Sequence, residues 1–130
     1  MEIDLPEPLA ELTAAFRRYE AALVGNDVAA LQGLFAKLPT TIRYGIAENL
    51  YGSAEIDAFR AARAPMDFSR SITRTVITTY GRDFGTASTL FHRASYGTRI
   101  GRQMQTWVRF PEGWRVVAAH VSVIEGPSPA

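Results

Sequence analysis

The sequence predicts one α+β domain in which three N-terminal helices cover a cone-shaped, curved antiparallel sheet of about four to six strands. Up to about Arg63, apolar residues recur at helical spacing; from Ser69 onward, long runs of Val, Ile, Thr and aromatics alternate with short turn signals. Helices followed by a strand meander form segregated layers, and an antiparallel sheet needs one face covered. A chain of 130 residues buries enough surface to fold as a single domain over residues 1–130, with 1–7 and 125–130 expected to be loose.

The first helix is expected from about Pro8 to Val24. Leu9, Leu12, Ala15, Phe16, Tyr19 and Leu23 fit a 3.6-residue period, prolines precede it, and Gly25-Asn26 stops it. Asp27 is placed to cap a second helix with Val28, Leu31, Leu34 and Phe35 on one face. That helix ends near Lys37, because Pro39 disfavours helical geometry at Leu38. Thr40–Tyr44 reads as a strand, Gly45 turns it, and Glu48–Tyr51 returns. A third helix opens at Ser53 and runs to about Arg63, where Pro65 stops it. Ser71–Tyr80, Phe84–Arg93, Arg99–Phe110 and Trp114–Ile124 then form four long strands, joined by Gly81-Arg82-Asp83, Ala94–Thr98 and Pro111-Glu112-Gly113. The gap between such a sheet and its helices is where a small molecule would sit.

Composition excludes several functional classes. Fourteen basic against 13 acidic residues give a net charge of +1, too weak a field for nucleic acid and without a basic block to concentrate it. No apolar run is long enough for a bilayer, and the acidic, proline-broken start resembles neither a signal nor a transit peptide, so no membrane partner and a cytoplasmic location are expected. Zero cysteines exclude disulfides and thiol chemistry. Two separated histidines, His92 and His120, without an acidic cluster give no metal site. The glycines mark turns and a strand bend rather than a phosphate loop, so no cofactor is expected. Lys37 is the only lysine among the fourteen cations.

Several stretches resemble the AtzH/HpxZ-like family: Phe16-Arg-Arg-Tyr19-Glu20, Thr41-Ile-Arg43-Tyr-Gly45, Glu48-Asn-Leu-Tyr-Gly52 and Phe59-Arg-Ala-Ala-Arg63. The longest are Arg99-Ile-Gly-Arg-Gln-Met-Gln-Thr-Trp-Val-Arg109 and Gly113-Trp-Arg-Val-Val-Ala-Ala-His-Val-Ser122. The resemblance spans residues 10 to 124 or so, in the family's own order. It implies the nuclear-transport-factor-2-like (SnoaL-like) fold, a homodimer formed through the sheets, and a link to urea-derivative catabolism. That link is decarboxylating amide hydrolysis of dicarboxyurea for AtzH and a less defined part in oxalurate breakdown for HpxZ. It also implies that Tyr19 and Arg43 stand at the family's catalytic tyrosine and arginine. The chemistry fits: a guanidinium fork binds a carboxylate, and a nearby phenol donates to a developing oxyanion or relays a proton.

The departures from the family pattern cluster. Ala36-Lys37-Leu38 replaces an aromatic followed by short polar or acidic residues, Leu90 replaces a glutamate before Phe91, and Met104 replaces the serine of the Arg-Gln-Ser-Gln-Thr-Trp motif. Together they suggest an apolar pocket around Lys37, of the sort a scaffold remodelled by engineering for retro-aldol chemistry would carry. A lysine in such a cavity loses solvation of its charged form, and the free amine attacks a carbonyl to give a Schiff base. The plainer reading is a cation complementing the dipole of a helix end. For Tyr19 and Arg43 the plain readings are a core tyrosine and an arginine paired with Glu20, Glu48 or Asp67. His120 and Ser122 share a strand face and join the candidate substrate-binding set, although a strand histidine is also an ordinary core residue. Gln103 and Gln105, opposite Met104, read as interface or surface amides, and Trp107 and Trp114 as core or interface aromatics.

Three functions therefore stand open: a Lys37 Schiff-base lyase with Ala36, Leu38, Leu90, Phe91 and Met104 holding an apolar carbonyl substrate, a native-type decarboxylating amidohydrolase using Tyr19 and Arg43, and a non-catalytic ligand-binding dimeric module.

Overall fold

The computed structural model describes residues 1–126. Helix α1 (Pro6–Val24) starts with prolines in its first turn and ends at Gly25, whose N–H reaches the Ala21 carbonyl. It buries Leu12, Ala15, Phe16, Tyr19 and Leu23, the stripe that the spacing predicts. Asp27 caps α2 (Val28–Gly33) by accepting from the Ala30 N–H at 3.1 Å. Strands β1 (Ile42–Tyr44) and β2 (Asn49–Tyr51) form a short hairpin, α3 (Ser53–Ala62) follows, and β3 (Ser71–Tyr80), β4 (Phe84–His92), β5 (Arg99–Phe110) and β6 (Gly113–Glu125) make the meander.

The six strands form one sheet in the order β2-β1-β6-β5-β4-β3. All neighbours are antiparallel except β1 and β6, which run parallel through Ile42–Ala118, Arg43–Ala119 and Tyr44–His120, so the sheet is mixed rather than purely antiparallel. The helices cover the face that buries Ala87, Trp107, Val116 and Ala119, with Leu12, Phe16, Leu31, Phe35 and Ile56 opposite.

Three departures from the sequence expectation have definite causes in backbone pairing. Helix α2 stops at Gly33 instead of continuing to Lys37, because the backbone of Leu34–Ala36 is taken by β6. The Val116 N–H donates to Leu34 and the Ala36 N–H to Val116, at 2.8 and 2.9 Å. The N-terminal residues are tied down rather than loose: the Asp4 N–H donates to the Thr79 carbonyl, the Thr79 N–H to Asp4 Oδ1, and the Gly81 N–H to the Glu2 carbonyl. These bonds occupy the C-terminal end of the free edge that β3 presents. At the other end, β6 continues to Glu125; residues 127–130 of the expected loose tail lie outside the described residues.

The third is a bulge in β6. Thr106 pairs with Ala118 but Trp107 with Val116, leaving Val117 as the extra residue. Trp114 and Val116 face the helices; after the bulge Ala119 and Val121 do so, and Ala118, His120 and Ser122 turn to the outer face.

Candidate functional site

A cavity of about 280 Å³ opens between α1, α3 and the inner face of the sheet. Tyr19 of α1 and Arg43 of β1, the two residues paired by the family resemblance, both line it, as does Phe91 of β4. Arg43 points inward because it alternates with Ile42 and Tyr44 on a strand whose register against β6 puts it opposite Ala119. Its Nη1 donates to Glu48 Oε1 at 2.8 Å, so the plain pairing with Glu48 also holds.

Cations dominate the walls. Arg43, Arg63, Arg70 and Arg93 line the cavity against two acids, Glu48 and Asp67. The arginines group about two rings: Arg43 and Arg63 lie 5.8 and 5.6 Å from the Phe59 centroid, and Arg70 and Arg93 lie 4.7 and 5.5 Å from that of Phe91. Arg70 is held by Glu20, its Nε donating to Oε2 at 3.2 Å with a second contact to Oε1, and its Nη2 donates to Gln103 Oε1 at 3.0 Å. On α3, Arg60 is only 2% exposed and lies 4.9 Å from the Phe35 centroid, with none of its guanidinium nitrogens bonded within the protein. Burial first, and Arg43 further down, lower the pKa of Arg60, with Tyr19 opposing. Arg63 is lowered by burial and then by Arg60 and Arg43, and its Nη2 is also buried without a partner. Asp67 is held below the usual carboxylate range by hydrogen bonds from Ser69, whose N–H donates to Oδ1 at 2.8 Å. Such a chamber, positively charged and carrying unused donors, suits a small anion.

The other sequence candidates lie elsewhere. Lys37 has a side chain 53% exposed and donates to both oxygens of Asp57, at 3.1 and 2.9 Å. It lines a separate cleft with Ala36, Leu38, Glu112 and Arg115, so the expected burial in an apolar cavity with Leu90 and Met104 is corrected, as is the helix-end position. Leu90, Met104, His120 and Ser122 are on the outer face of the sheet. Met104 is 61% exposed and opposite His120, Leu90 is opposite Arg102, and Ser122 Oγ accepts from Arg102 Nε at 3.1 Å. Gln103 and Gln105 are conversely buried on the inner face, not surface amides. Trp107 and Trp114 are core residues. Sequence reasoning assigned no role to Arg60, Arg63, Arg70, Arg93 or Gln103. The one available signal was that Phe59-Arg60-Ala61-Ala62-Arg63 and Arg102-Gln103 lie within the stretches carrying the resemblance.

Among the described residues no group of three or more His, Cys, Asp or Glu is placed to hold a metal ion, and no helix is long and apolar enough to cross a membrane.

Comparison with known proteins places these features in context. The AtzH-like family model matches residues 1–127. A protein of unknown function from the DUF3225 family of Pectobacterium atrosepticum is 57% identical, with 95% of each chain covered and a TM-score of 0.91. A cystatin-like fold protein from Burkholderia xenovorans is 49% identical over 98% of this chain and 99% of its own, with a TM-score of 0.92. A nuclear transport factor 2 (NTF2-like) superfamily protein from Salmonella enterica, at 24% identity over 95% of this chain and 93% of its own, shares the fold with a TM-score of 0.71. No curated protein matches the chain.

Proposed function

The chain belongs to the AtzH-like family, and from that premise we propose that it is an enzyme releasing carbon dioxide from a small N-carboxylated urea held in the arginine-lined cavity. The observation that carries the reading is that Tyr19 and Arg43 line one chamber of about 280 Å³ whose wall has twice as many arginines as acids. Arg43, already oriented by Glu48, offers its remaining N–H groups to a terminal carboxylate. As the bond between nitrogen and that carboxylate breaks, carbon dioxide leaves and the bonding pair stays on nitrogen. Nitrogen takes a proton from the Tyr19 hydroxyl, which recovers one from water. Nearby guanidiniums stabilise the transient phenolate. No observation favours the Schiff-base lyase, since the Lys37 amine is engaged by Asp57 outside this chamber.

The test is carbon dioxide release from dicarboxyurea. Tyr19→Phe and Arg43→Ala should each lose about a hundredfold or more in rate, while Lys37→Ala keeps it. An Arg43→Ala protein with undiminished rate would refute the assignment. Binding of the substrate without turnover in the unsubstituted protein would support a ligand-binding module instead.

We further propose that a second copy covers the outer face of the sheet, where Val76, Phe84, Met104 and Ile124 are exposed. A face this apolar rarely stays bare on a soluble monomer. Sedimentation equilibrium should give a dimer, and Met104→Glu a monomer; a monomeric unsubstituted protein refutes this.

A further inference from the structure

Gln103 lies on β5 between Thr89 of β4 and Val121 of β6, and its side chain forms part of the cavity wall. It is 2% exposed. Its Oε1 accepts from Arg70 Nη2 at 3.0 Å. An arginine can only donate, so the amide must turn its oxygen to Arg70 and its nitrogen away. Arg70 in turn is fixed by the two oxygens of Glu20 and by its seat over the Phe91 ring. The chain Glu20–Arg70–Gln103 therefore sets the amide orientation before any ligand arrives. What remains is Nε2, buried and without an acceptor in the protein.

A buried donor in a cavity wall, pre-oriented and unused, is a ligand contact. Its chemistry is distinct from that of the surrounding groups. The arginine pairs about Phe59 and Phe91 are charged donors suited to carboxylates. Gln103 is a neutral donor, matched to a neutral acceptor. Gln105, two residues along the same face, has its Oε1 on the Trp107 Nε1–H at 3.1 Å and its Nε2 likewise unpartnered, but it does not line the cavity, so of the two amides Gln103 alone presents that donor there.

We propose that Gln103 is a specificity-determining residue whose Nε2–H donates to the central carbonyl oxygen of a ligand bearing carboxylates at both ends. This rests on the function proposed above and names the part of the substrate that the family motif residues Tyr19 and Arg43 leave unread. A site built to donate to a carbonyl rejects the analogue that lacks one, because the buried donor is then left unpaired.

Two probes separate the carbonyl from the charges, 3-oxoglutarate being freshly dissolved and titrated cold because a β-keto acid loses carbon dioxide on standing. Glutarate and 3-oxoglutarate have the same length and the same two carboxylates, and differ only in the central carbonyl; 3-oxoglutarate is the carbon counterpart of dicarboxyurea. By isothermal titration calorimetry the unsubstituted protein should bind 3-oxoglutarate about tenfold more tightly than glutarate, the scale of one hydrogen bond. Gln103→Met should remove that preference by weakening 3-oxoglutarate alone. Should that variant fail to fold, Gln103→Glu, which keeps the Arg70 contact but turns an acceptor to the cavity, should also lose the preference. A preference that survives either folded variant overturns the proposal, as does equal binding of both probes by the unsubstituted protein, which would leave the dianion reading intact. Binding of neither probe overturns the dianion reading itself, and this proposal with it.

Discussion

Arg60→Met should make the empty protein more stable and the anion-binding site weaker. Arg60 is 2% exposed, its Nε, Nη1 and Nη2 have no partner within hydrogen-bond geometry, and its charge is favoured only by the Phe35 ring 4.9 Å away and by Tyr19 and Asp57 nearby. Replacing a buried charge that lacks good partners by an apolar side chain of similar length is stabilising by about 1–4 kcal/mol, against which the lost cation–π contact returns roughly 0.5–2 kcal/mol. The net is a gain of about 1–2 kcal/mol, or roughly 3–10 °C in Tm for a domain of this size. Binding moves the other way. Arg60 is not itself in the cavity wall, so its pull on a bound carboxylate acts at a distance: for an assumed separation of roughly 8 Å and an effective dielectric of about 20, the lost attraction is about 2 kcal/mol, near a thirtyfold loss in affinity. Thermal unfolding by circular dichroism, with and without saturating glutarate, a dianion that survives heating, reads both effects: the variant should melt higher when empty and gain less from ligand. A variant that melts lower when empty, or that binds the dianion as tightly as before, would refute the account of Arg60 as an uncompensated charge held for a ligand.

Lys37→Ala should change stability by no more than about 1 kcal/mol, because its pair with Asp57 is solvent-exposed; urea unfolding checks this. Gly101→Ala should both destabilise and disarm the protein, since an added Cβ would overlap the Phe91 ring that seats Arg70 and Arg93. Overpacking of this kind costs about 1–3 kcal/mol, and the variant should also bind 3-oxoglutarate more weakly, as calorimetry would reveal. Asp67 should titrate below the ordinary aspartate range in an NMR pH series. Its folded pKa is depressed, so its contribution to stability is full above the unfolded value and is lost as pH falls through the folded one. A titration at the ordinary value would remove that pH dependence.

Much of the fold was legible because its signals are local. The α1 stripe from Leu12 to Leu23, the Asp27 cap, and the limits of Ser71–Tyr80 and Arg99–Phe110 all follow from spacing and turn chemistry. The end of α2 was not legible, since Leu34–Ala36 leave helical geometry to satisfy Val116, more than eighty residues away in the chain. The same error carried Lys37 to a helix end it does not occupy. Tyr19, Arg43 and Phe91, named from the sequence, line one cavity. The arginine cluster was not legible, because Arg60 and Arg63 read as ordinary cations of a helix and Arg70 as a loop residue until the fold seats Arg60 on Phe35, Arg63 on Phe59 and Phe68, and Arg70 on Phe91 beside Glu20.

One inserted residue accounts for why His120 and Ser122 lie outside the cavity. An unbroken alternation in β6 from Trp114 and Val116 would send Ala118, His120 and Ser122 inward, which is the assignment the candidate substrate set assumed. Val117 is the residue that breaks it: pairing jumps from Trp107–Val116 to Thr106–Ala118, and every later side chain of β6 changes face. Strand β5 has no such break, so Trp107, Gln105, Gln103 and Gly101 stay inward together. With β6 shifted by one residue, Val121 rather than His120 sits beside Gln103 in the cavity wall, and His120 lies beside Met104 outside it. A period-2 reading of either strand alone is ambiguous in phase. The buried Trp107 fixes the phase of β5, and through the bulge that of β6. The inner chemistry is therefore borne by an amide and arginines, while the histidine belongs to the face proposed to meet a second copy.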